Sequence, residues 1–180
     1  MLDCLLRRRV CPESGRPPRL GWVIFDPKGT LMAAATCLLL AAIPALWKAR
    51  VQQIFPAEAL APSVALANHA SILQGTDIRW FIDNESACST LIRGASREED
   101  VQSIAECTQL LAMRLDIRIW FEWVDTKANP SDGLSREGLD CPLFGTRAIT
   151  ADQPAWQLIE NDTDRLRTIA TAHLGDLCQP

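Results

Sequence analysis

Three acidic residues, Glu58, Asp83 and Asp132, stand where carboxylates could act on a phosphodiester. Glu58 lies in an alanine- and leucine-rich segment with helical spacing, Asp83 directly follows an apolar run, and Asp132 opens the last predicted helix. Strand ends and adjacent helix starts of an α/β sheet can bring such residues to one edge. Carboxylates that converge there repel each other unless a cation balances them, and oxygen ligands of this kind select Mg²⁺ or Mn²⁺. Such a site suits phosphodiester hydrolysis, because the metals activate water and stabilise the leaving oxygen.

Each of these acids also has an ordinary structural explanation. Glu58 in the first turn of a helix would interact with the helix dipole. Asp83 would cap the helix that follows it, since Asp is a favoured N-cap residue. Asp132 would belong to the turn-prone string NPSDG. Taken one at a time, these explanations are the commoner ones, and spacing alone does not overturn them.

The elements that must position the acids begin with a hairpin. GWVIF (21–25) is a short strand by its aromatic and β-branched residues, DPKG is a turn, and the apolar segment from Leu31 predicts the second strand. A helix is predicted over 55–73, where Pro62 implies a kink or a later start because it removes the donor for the Glu58 carbonyl. The run DIRWFID (77–83) predicts a strand with both faces covered, since its apolar residues are continuous.

Two helices and a strand are predicted between Asp83 and Asp132. ESACSTLIRG is a short helix that ends at Gly94, and a longer helix follows with Ser96 and Glu99 as a capping box. DIRIWFEWV alternates like a half-buried strand, and the whole order predicts a mixed α/β sheet with helices on its faces. The residues expected to point inward from this strand are Ile117, Ile119, Phe121 and Trp123, and the tryptophans expected in the core are Trp80, Trp120 and Trp123.

The composition limits the classes of function. The 180 residues, 48% hydrophobic and 22% charged, are typical of one globular domain, and a net charge of −4 argues against an overall basic surface for nucleic acid. Seven cysteines, an odd number without a C-x-x-C pair, argue against a disulfide framework or a zinc site and favour a reducing, intracellular compartment. His69 and His173 have no cysteine at ligand spacing, so neither is expected to bind metal.

The chain is expected to divide into an arm, a domain and a tail. Residues 1–20 hold five arginines and little periodicity, which predicts a solvated basic arm. The domain is predicted over 21–137, and 138–180 is predicted as a tail with a helix over 154–174. The uncharged stretch 31–47 raises the alternative of a membrane-anchored protein. It is slightly short for a spanning helix, contains Pro44 and is rich in alanine, so a buried strand and its continuation are preferred.

Three strings together resemble the RNase H domain of retroelement polymerases. They are EALAPSVALA around Glu58, WFIDNESACSTLIRG around Asp83, and FEWVDTKANPSDGLSR around Asp132. The likeness extends over roughly 21–136. Its most specific part is NPSDGLSR, which is similar to the family's final N-x-A-D-x-L-S-R motif, with Ser131 in place of the usual Ala.

The resemblance implies an RNase H-like, five-stranded mixed sheet flanked by helices. The implied activity is endonucleolytic cleavage of the RNA strand of RNA–DNA hybrids, with Mg²⁺ or Mn²⁺ as cofactor and a reverse transcriptase domain of the parent polyprotein as a neighbour. Glu58, Asp83 and Asp132 would be the family's second, third and fourth metal-binding acids. The residues expected to orient the acids, brace their loop or meet the nucleic acid are Asn84, Asn129 and Arg136.

The first strand departs from the family pattern. The family ends that strand in an Asp, ahead of the strand that matches GWVIF, whereas this chain has only MLDC and the arginine-rich arm there. Asp3 lacks a full strand before it, Asp26 has the context of a turn, and Glu13 is remote, so the first strand is expected to be truncated or replaced. The alternative function is therefore a catalytically inactive RNase H-like remnant, because loss of this acid would remove much of the metal positioning.

Overall fold

A mixed six-stranded sheet forms the centre of the protein. The computed structural model describes residues 2–9, 19–39, 42–45, 47–50, 53–144 and 147–150. In 2–9 and at 42–43 it describes the backbone alone. The helix predicted over 154–174, Glu13 and His173 lie outside the described residues. The strand order is β5-β4-β1-β2-β3-β6, and β1 pairs antiparallel with β2 and parallel with β4. The strands are β1 (Leu2–Arg9), β2 (Arg19–Phe25), β3 (Leu31–Leu38), β4 (Asp77–Ile82), β5 (Arg118–Trp123) and β6 (Ala148–Thr150).

Helices cover this sheet, and two short 3-10 turns complete the described elements. The turns span Thr126–Ala128 and Gly138–Asp140. The helices are α1 (Ala42–Ala45), α2 (Ile54–Asn68), α3 (Ala70–Leu73), α4 (Glu85–Arg93), α5 (Glu99–Arg114) and α6 (Asp132–Glu137). The prediction of a mixed sheet flanked by helices is confirmed. The expected count of five strands is exceeded by the three-residue β6, which pairs with β3.

The predicted basic arm over 1–20 is wrong for its first part. Leu2–Arg9 forms β1, which lies between β4 and β2 in the middle of the sheet. The pairing covers Asp3 to Arg9 on the side of β2 and Leu2 to Leu6 on the side of β4. Backbone N–H and C=O groups in the interior of a sheet need partners, and β2 and β4 each offer a full edge to this segment. The first strand is therefore present, with a sequence that does not alternate like a strand.

The predicted hairpin is confirmed. β2 and β3 pair antiparallel around the DPKG turn. Asp26 Oδ1 accepts hydrogen bonds from the backbone N–H groups of Lys28 and Thr30 at 2.8 and 2.7 Å. The bond from Thr30 is the main reason that the pKa of Asp26 lies below its ordinary value. Asp26 thus serves the turn, as its sequence context indicated.

Two apolar layers lie on opposite faces of the sheet. The larger one joins buried residues of β2 and β4, among them Trp22 and Trp80, to the buried faces of α2, α4 and α5. Inside it, the hydroxyls of Ser63 and Thr108 form a 2.6 Å hydrogen bond between α2 and α5. The smaller layer packs Val23 and its neighbours under α6. Because successive side chains of a strand point to opposite faces, Trp22 and Val23 face the two layers in turn.

Pro62 does not delay α2. The helix begins at Ile54 and continues through Pro62 to Asn68, so the alternative of a later start is wrong. The capping box at Ser96 and Glu99 is also wrong, because α5 begins at Glu99 with Glu98 as its N-cap residue. Ser96 instead accepts a hydrogen bond from the Glu98 backbone N–H at 3.2 Å. Gly94 ends α4 in the left-handed conformation, as predicted.

The outer strands are less covered than the sequence indicated. In β4 the even-numbered residues are buried but Arg79 is exposed, so the prediction that both faces are covered is wrong. Phe121 is buried in β5 as predicted, whereas Trp120 and Trp123 are 65% and 53% exposed and do not belong to the core. Among the strands that the structure describes, β5 is the outermost on its side of the sheet, and no described strand pairs with its outer edge.

The apolar stretch 31–47 contributes β3 and the short helix α1. Among the described residues there is no helix with the length and hydropathy needed to cross a bilayer. The strand preferred for the start of this stretch is confirmed by β3.

Candidate active site

Asp83 stands directly after β4, where the strand gives way to α4. Its Oδ2 accepts a hydrogen bond from the Thr126 hydroxyl at 3.2 Å, and its Oδ1 is inaccessible to solvent. The helix cap that could have explained this acid is supplied by its neighbour, because Asn84 Oδ1 accepts from the Ala87 backbone N–H at 3.0 Å. The capping explanation for Asp83 is therefore wrong, and Asn84 has a structural role of its own.

Glu58 lies on α2 and is 4% exposed. Because α2 begins at Ile54, Glu58 falls after the first turn, which contains no acid. An interaction with the helix dipole fades within the first turn, so this explanation for Glu58 is wrong as well. Its Oε2 is inaccessible to solvent. A carboxylate shielded in this way needs compensating partners, because burial penalises its charged form.

Asp132 is the first residue of α6, and this end of the helix is firmly held. Asn129 is buried, and its Oδ1 accepts from the N–H and the hydroxyl of Ser131 at 3.1 and 2.8 Å. The Asn129 carbonyl accepts from the Asp132 N–H at 3.3 Å. Asn129 thus braces the loop that presents Asp132, as predicted, and its burial leaves little of it to touch a nucleic acid. Arg136 forms a 2.7 Å salt bridge with Asp132 one turn along α6.

β1 is the common neighbour of the elements that carry these acids. β4 pairs with it, and both α2 and α6 pack against it. Leu6 is level with Ile82, so the next residues in each strand direction, Arg7 and Asp83, are level with each other. Asp3 is level with Arg79, four positions earlier, which is about 13 Å along the strand. The strand position beside Asp83 is therefore held by an arginine, and Asp3 does not reach it.

The described residues do not complete a metal site. Among the side chains that the structure describes, no group of three or more His, Cys, Asp or Glu is placed so as to hold a metal ion. Glu58, Asp83 and Asp132 have the oxygen chemistry that Mg²⁺ prefers, but Asp132 is engaged by Arg136. The assignment of these three acids as metal ligands stays a prediction.

The sequence analysis assigned no role in the site to three residues, Thr126, Ser131 and Arg7. Thr126 bonds to Asp83 from the loop before Asn129, and the pairing of β4 with β5 brings the two together. Ser131 could have been recognised as the partner of Asn129, because Asn side chains often bond to the backbone two residues on. Arg7 could not, because its place depends on the register of β1.

Comparison with known proteins identifies structures of similar fold. The chain matches no protein-family model and no curated protein. Among solved structures, it is similar to RNase H1 from Halobacterium salinarum, with 20% identity and a TM-score of 0.61 over 77% of this chain and 97% of that one. It is also similar to the N-terminal RNase H domain of a Mycobacterium tuberculosis protein solved as a fusion with maltose-binding protein, with 18% identity and a TM-score of 0.59 over 77% and 93%.

A third similar structure is LC11-RNase H1 in complex with an RNA/DNA hybrid, with 14% identity and a TM-score of 0.57 over 79% of this chain and 99% of that one. At these identities the likeness concerns the fold. The mixed sheet and the helices on its faces agree with it. The protein therefore has the RNase H fold.

Proposed function

We propose that the chain acts on RNA–DNA hybrids by hydrolysing the RNA strand with a divalent cation, Mg²⁺ or Mn²⁺, held by Glu58, Asp83 and Asp132. The observation that carries this proposal is the pair of solvent-inaccessible carboxylate oxygens, Glu58 Oε2 and Asp83 Oδ1, on an RNase H fold. Neither acid caps a helix or lies in a first helical turn. LC11-RNase H1, one of the similar structures, is bound to an RNA/DNA hybrid.

The salt bridge of Asp132 is a small obstacle to this activity. Asp132 and Arg136 are 24% and 38% exposed, and an exposed pair at this helical spacing contributes about 0.3–0.5 kcal/mol. A cation or a phosphate that competes for either partner can therefore separate them. Arg136, once released, lies within reach of a backbone phosphate, a contact that fixes the register of a duplex without reading its sequence.

Recognition of the duplex would depend on shape and on the 2′-hydroxyls of the RNA strand. The net charge of −4 gives no general attraction to phosphate. Binding of a hybrid is thus expected to depend on the divalent cation. The retroelement origin and a neighbouring reverse transcriptase domain belong to the same proposal and are supported by the motif NPSDGLSR.

A second candidate is a hybrid-binding domain that does not cleave, and the register of β1 favours it. The pairing of β1 with β4 ends at Leu6 and Ile82, and the next residue of β1 is Arg7, so β1 brings no acid into register with Asp83. A divalent cation at Asp83 would then lack an acidic ligand from this strand. The fold would then keep the surface for the duplex and lose the hydrolysis.

Cleavage and binding are measured separately to distinguish the two candidates. Purified protein is incubated with Mn²⁺ and a labelled hybrid, and binding is followed by fluorescence anisotropy. Hydrolysis predicts cleavage that falls at least about 10²-fold in Asp83→Asn, the scale on which loss of one stabilising group acts, and that rises in Arg7→Asp. Asp116→Asn is the matched control, because it makes the same chemical change at an exposed residue. Binding without cleavage at any Mn²⁺ concentration would establish the second candidate, and no binding of the hybrid would refute both.

A further inference from the structure

The outer edge of the sheet at β5 carries large exposed side chains. Trp120 is 65% exposed, and Arg118 and Glu122, two positions before and after it, are exposed on the same face of the strand. Arg118 also forms a 2.6 Å salt bridge with Asp77 on β4, in which its own side chain is 85% exposed. An arginine, a tryptophan and a glutamate thus line one face of an edge strand, with opposite charges on the two sides of the aromatic ring.

The backbone of β5 is oriented for a further strand. The N–H groups of Arg118 and Val124 donate to the carbonyls of Thr76 and Ile82 at 3.2 and 3.1 Å, so residues of even number bond towards β4. The alternation of a strand then turns the N–H and C=O groups of Ile119 and Phe121 outward, away from the sheet. An edge of this kind is a template on which another strand can pair.

We propose that this edge pairs with the same edge of a second copy of the chain, antiparallel, with the two-fold axis at Trp120. In this register Arg118 of each copy lies opposite Glu122 of the other, which makes two equivalent pairs of opposite charge. Trp120 meets its own equivalent at the axis, where side chains of a pair without hydrogen bonds are closest. Ile119 and Phe121 exchange the backbone hydrogen bonds through their outward groups. The surface is self-complementary, as a two-fold interface requires.

Charge selects this register over its neighbours. Hydrogen bonds between the two strands require that residues with outward-facing backbone groups lie opposite one another. The registers that meet this condition have their two-fold axis at a residue of β5, so the neighbouring alternatives place it at Ile119 or Phe121. An axis at Ile119 sets Arg118 opposite Trp120 and places Glu122 beyond the start of the partner strand, so neither charge meets one of opposite sign. An axis at Phe121 sets Glu122 opposite Trp120 and leaves Arg118 without an acidic partner across the interface. The axis at Trp120 alone among these gives both charges a partner of opposite sign.

The dimer is expected to be weak, since an edge of six residues buries less surface than a standard stable interface. Its formation does not depend on the proposed catalytic function, because none of its residues belongs to the acidic site. Sedimentation velocity over a wide concentration range measures it directly. The wild-type chain should pass from monomer to dimer as its concentration rises.

Charge reversal tests the register. Glu122→Arg and Arg118→Glu each place like charges opposite one another, and each is expected to raise the dissociation constant at least about tenfold, the effect of about 1.4 kcal/mol. An equimolar mixture of the two variants restores both pairs of opposite charge, so it should form a mixed dimer near the wild-type affinity. Glu137→Arg is the control for Glu122→Arg, because it makes the same change of net charge at an exposed residue of α6, and it should leave the dissociation constant unchanged.

Three results would overturn the proposal: a wild-type chain that remains monomeric throughout, a Glu122→Arg variant that dimerises as well as wild type, or a mixture no tighter than its components. Circular dichroism on each variant verifies that it is folded. The mixture supplies the internal check, because recovery there requires both variants to retain their structure.

Discussion

Gly21 on β2 lies directly against α6, with no room for a side chain. A Cβ at this residue would lie 2.6 Å from the Ser135 backbone N and 2.8 Å from the Leu134 Cβ. Both atoms belong to a helix that cannot rotate a side chain out of the way, so Gly21→Ala must displace α6 from the sheet. Overpacking typically costs about 1–3 kcal/mol, and a clash against backbone belongs near the upper end, at about 2–3 kcal/mol of the free energy of unfolding. A typical domain has only about 5–15 kcal/mol in total.

The displacement of α6 also carries Asp132, because this acid is the first residue of the helix. Urea denaturation followed by circular dichroism gives the loss of stability, and hydrogen exchange locates it. The Ser135 N–H, which donates to the Ser131 carbonyl at 3.2 Å, should exchange faster in Gly21→Ala. Gly94→Ala is the control: its added Cβ meets no atom within 4 Å, but its φ of +62° costs a side chain about 1–2 kcal/mol.

The two glycine variants therefore differ in where the cost appears. Gly94→Ala should loosen the end of α4 and leave the exchange of α6 unchanged. If Gly21→Ala were within about 0.5 kcal/mol of wild type, the usual range for harmless surface changes, the packing of α6 on β2 would be wrong. The same conclusion would follow if its α6 amides exchanged at the wild-type rate.

Two further predictions concern pH. Burial raises the pKa of Asp100, but its hydrogen bonds from Arg50 and from the Lys48 N–H more than offset this and leave the pKa below its ordinary 3.8. The stabilisation is thus present above about pH 3.8 and is lost as the pH falls through the folded-state pKa. Asp100→Asn should lower the free energy of unfolding at pH 6 by about 2 kcal/mol, and the free energy of this variant should decline less steeply in acid. Urea titrations at several pH values measure both effects. Burial lowers the pKa of His69, whose ring packs edge-on to Trp22 with the ring centroids 6.0 Å apart. The free energy of unfolding should therefore fall as the pH drops below 6.5, because the unfolded chain binds the proton more readily. A His69→Gln variant that kept this fall would show that His69 is not its cause.

Local signals predicted the elements whose patterns are complete within one segment. α5 repeats its buried residues at helical spacing, the DPKG turn joins two strands, and Gly94 stops α4 where a left-handed residue is needed. Each of these features depends on neighbours a few residues away. The three acids were proposed from the same kind of local pattern, and their role as metal ligands stays a prediction.

Features set by distant partners were missed or misplaced. Trp120 and Trp123 were expected in the core because aromatic strands usually have neighbours, yet β5 is the outermost strand. The capping box was placed on Ser96 although α5 begins after Glu98, because helix starts depend on how the preceding loop packs. The place of β1 in the sheet depends on its pairing with β2 and β4. Its arginine-rich sequence has no alternation of polar and apolar residues that would indicate a strand.

The register of β1 decides what the acids can do together. A slide of four residues along β4 would bring Asp3 level with Asp83 and, being even, would keep every residue of β1 on its present face. The slide would also carry Asp3 to Arg9 to the end of β4 and beyond, where β4 offers no backbone partners, and it would break the seven pairs with β2. The free-energy penalty of leaving backbone groups unpaired in the middle of a sheet is far larger than any stabilisation from placing Asp3 beside Asp83. Within β1, an acid in register with Asp83 therefore requires a change at Arg7 itself, and Arg7→Asp tests whether the register of this strand separates the chain from hydrolysis.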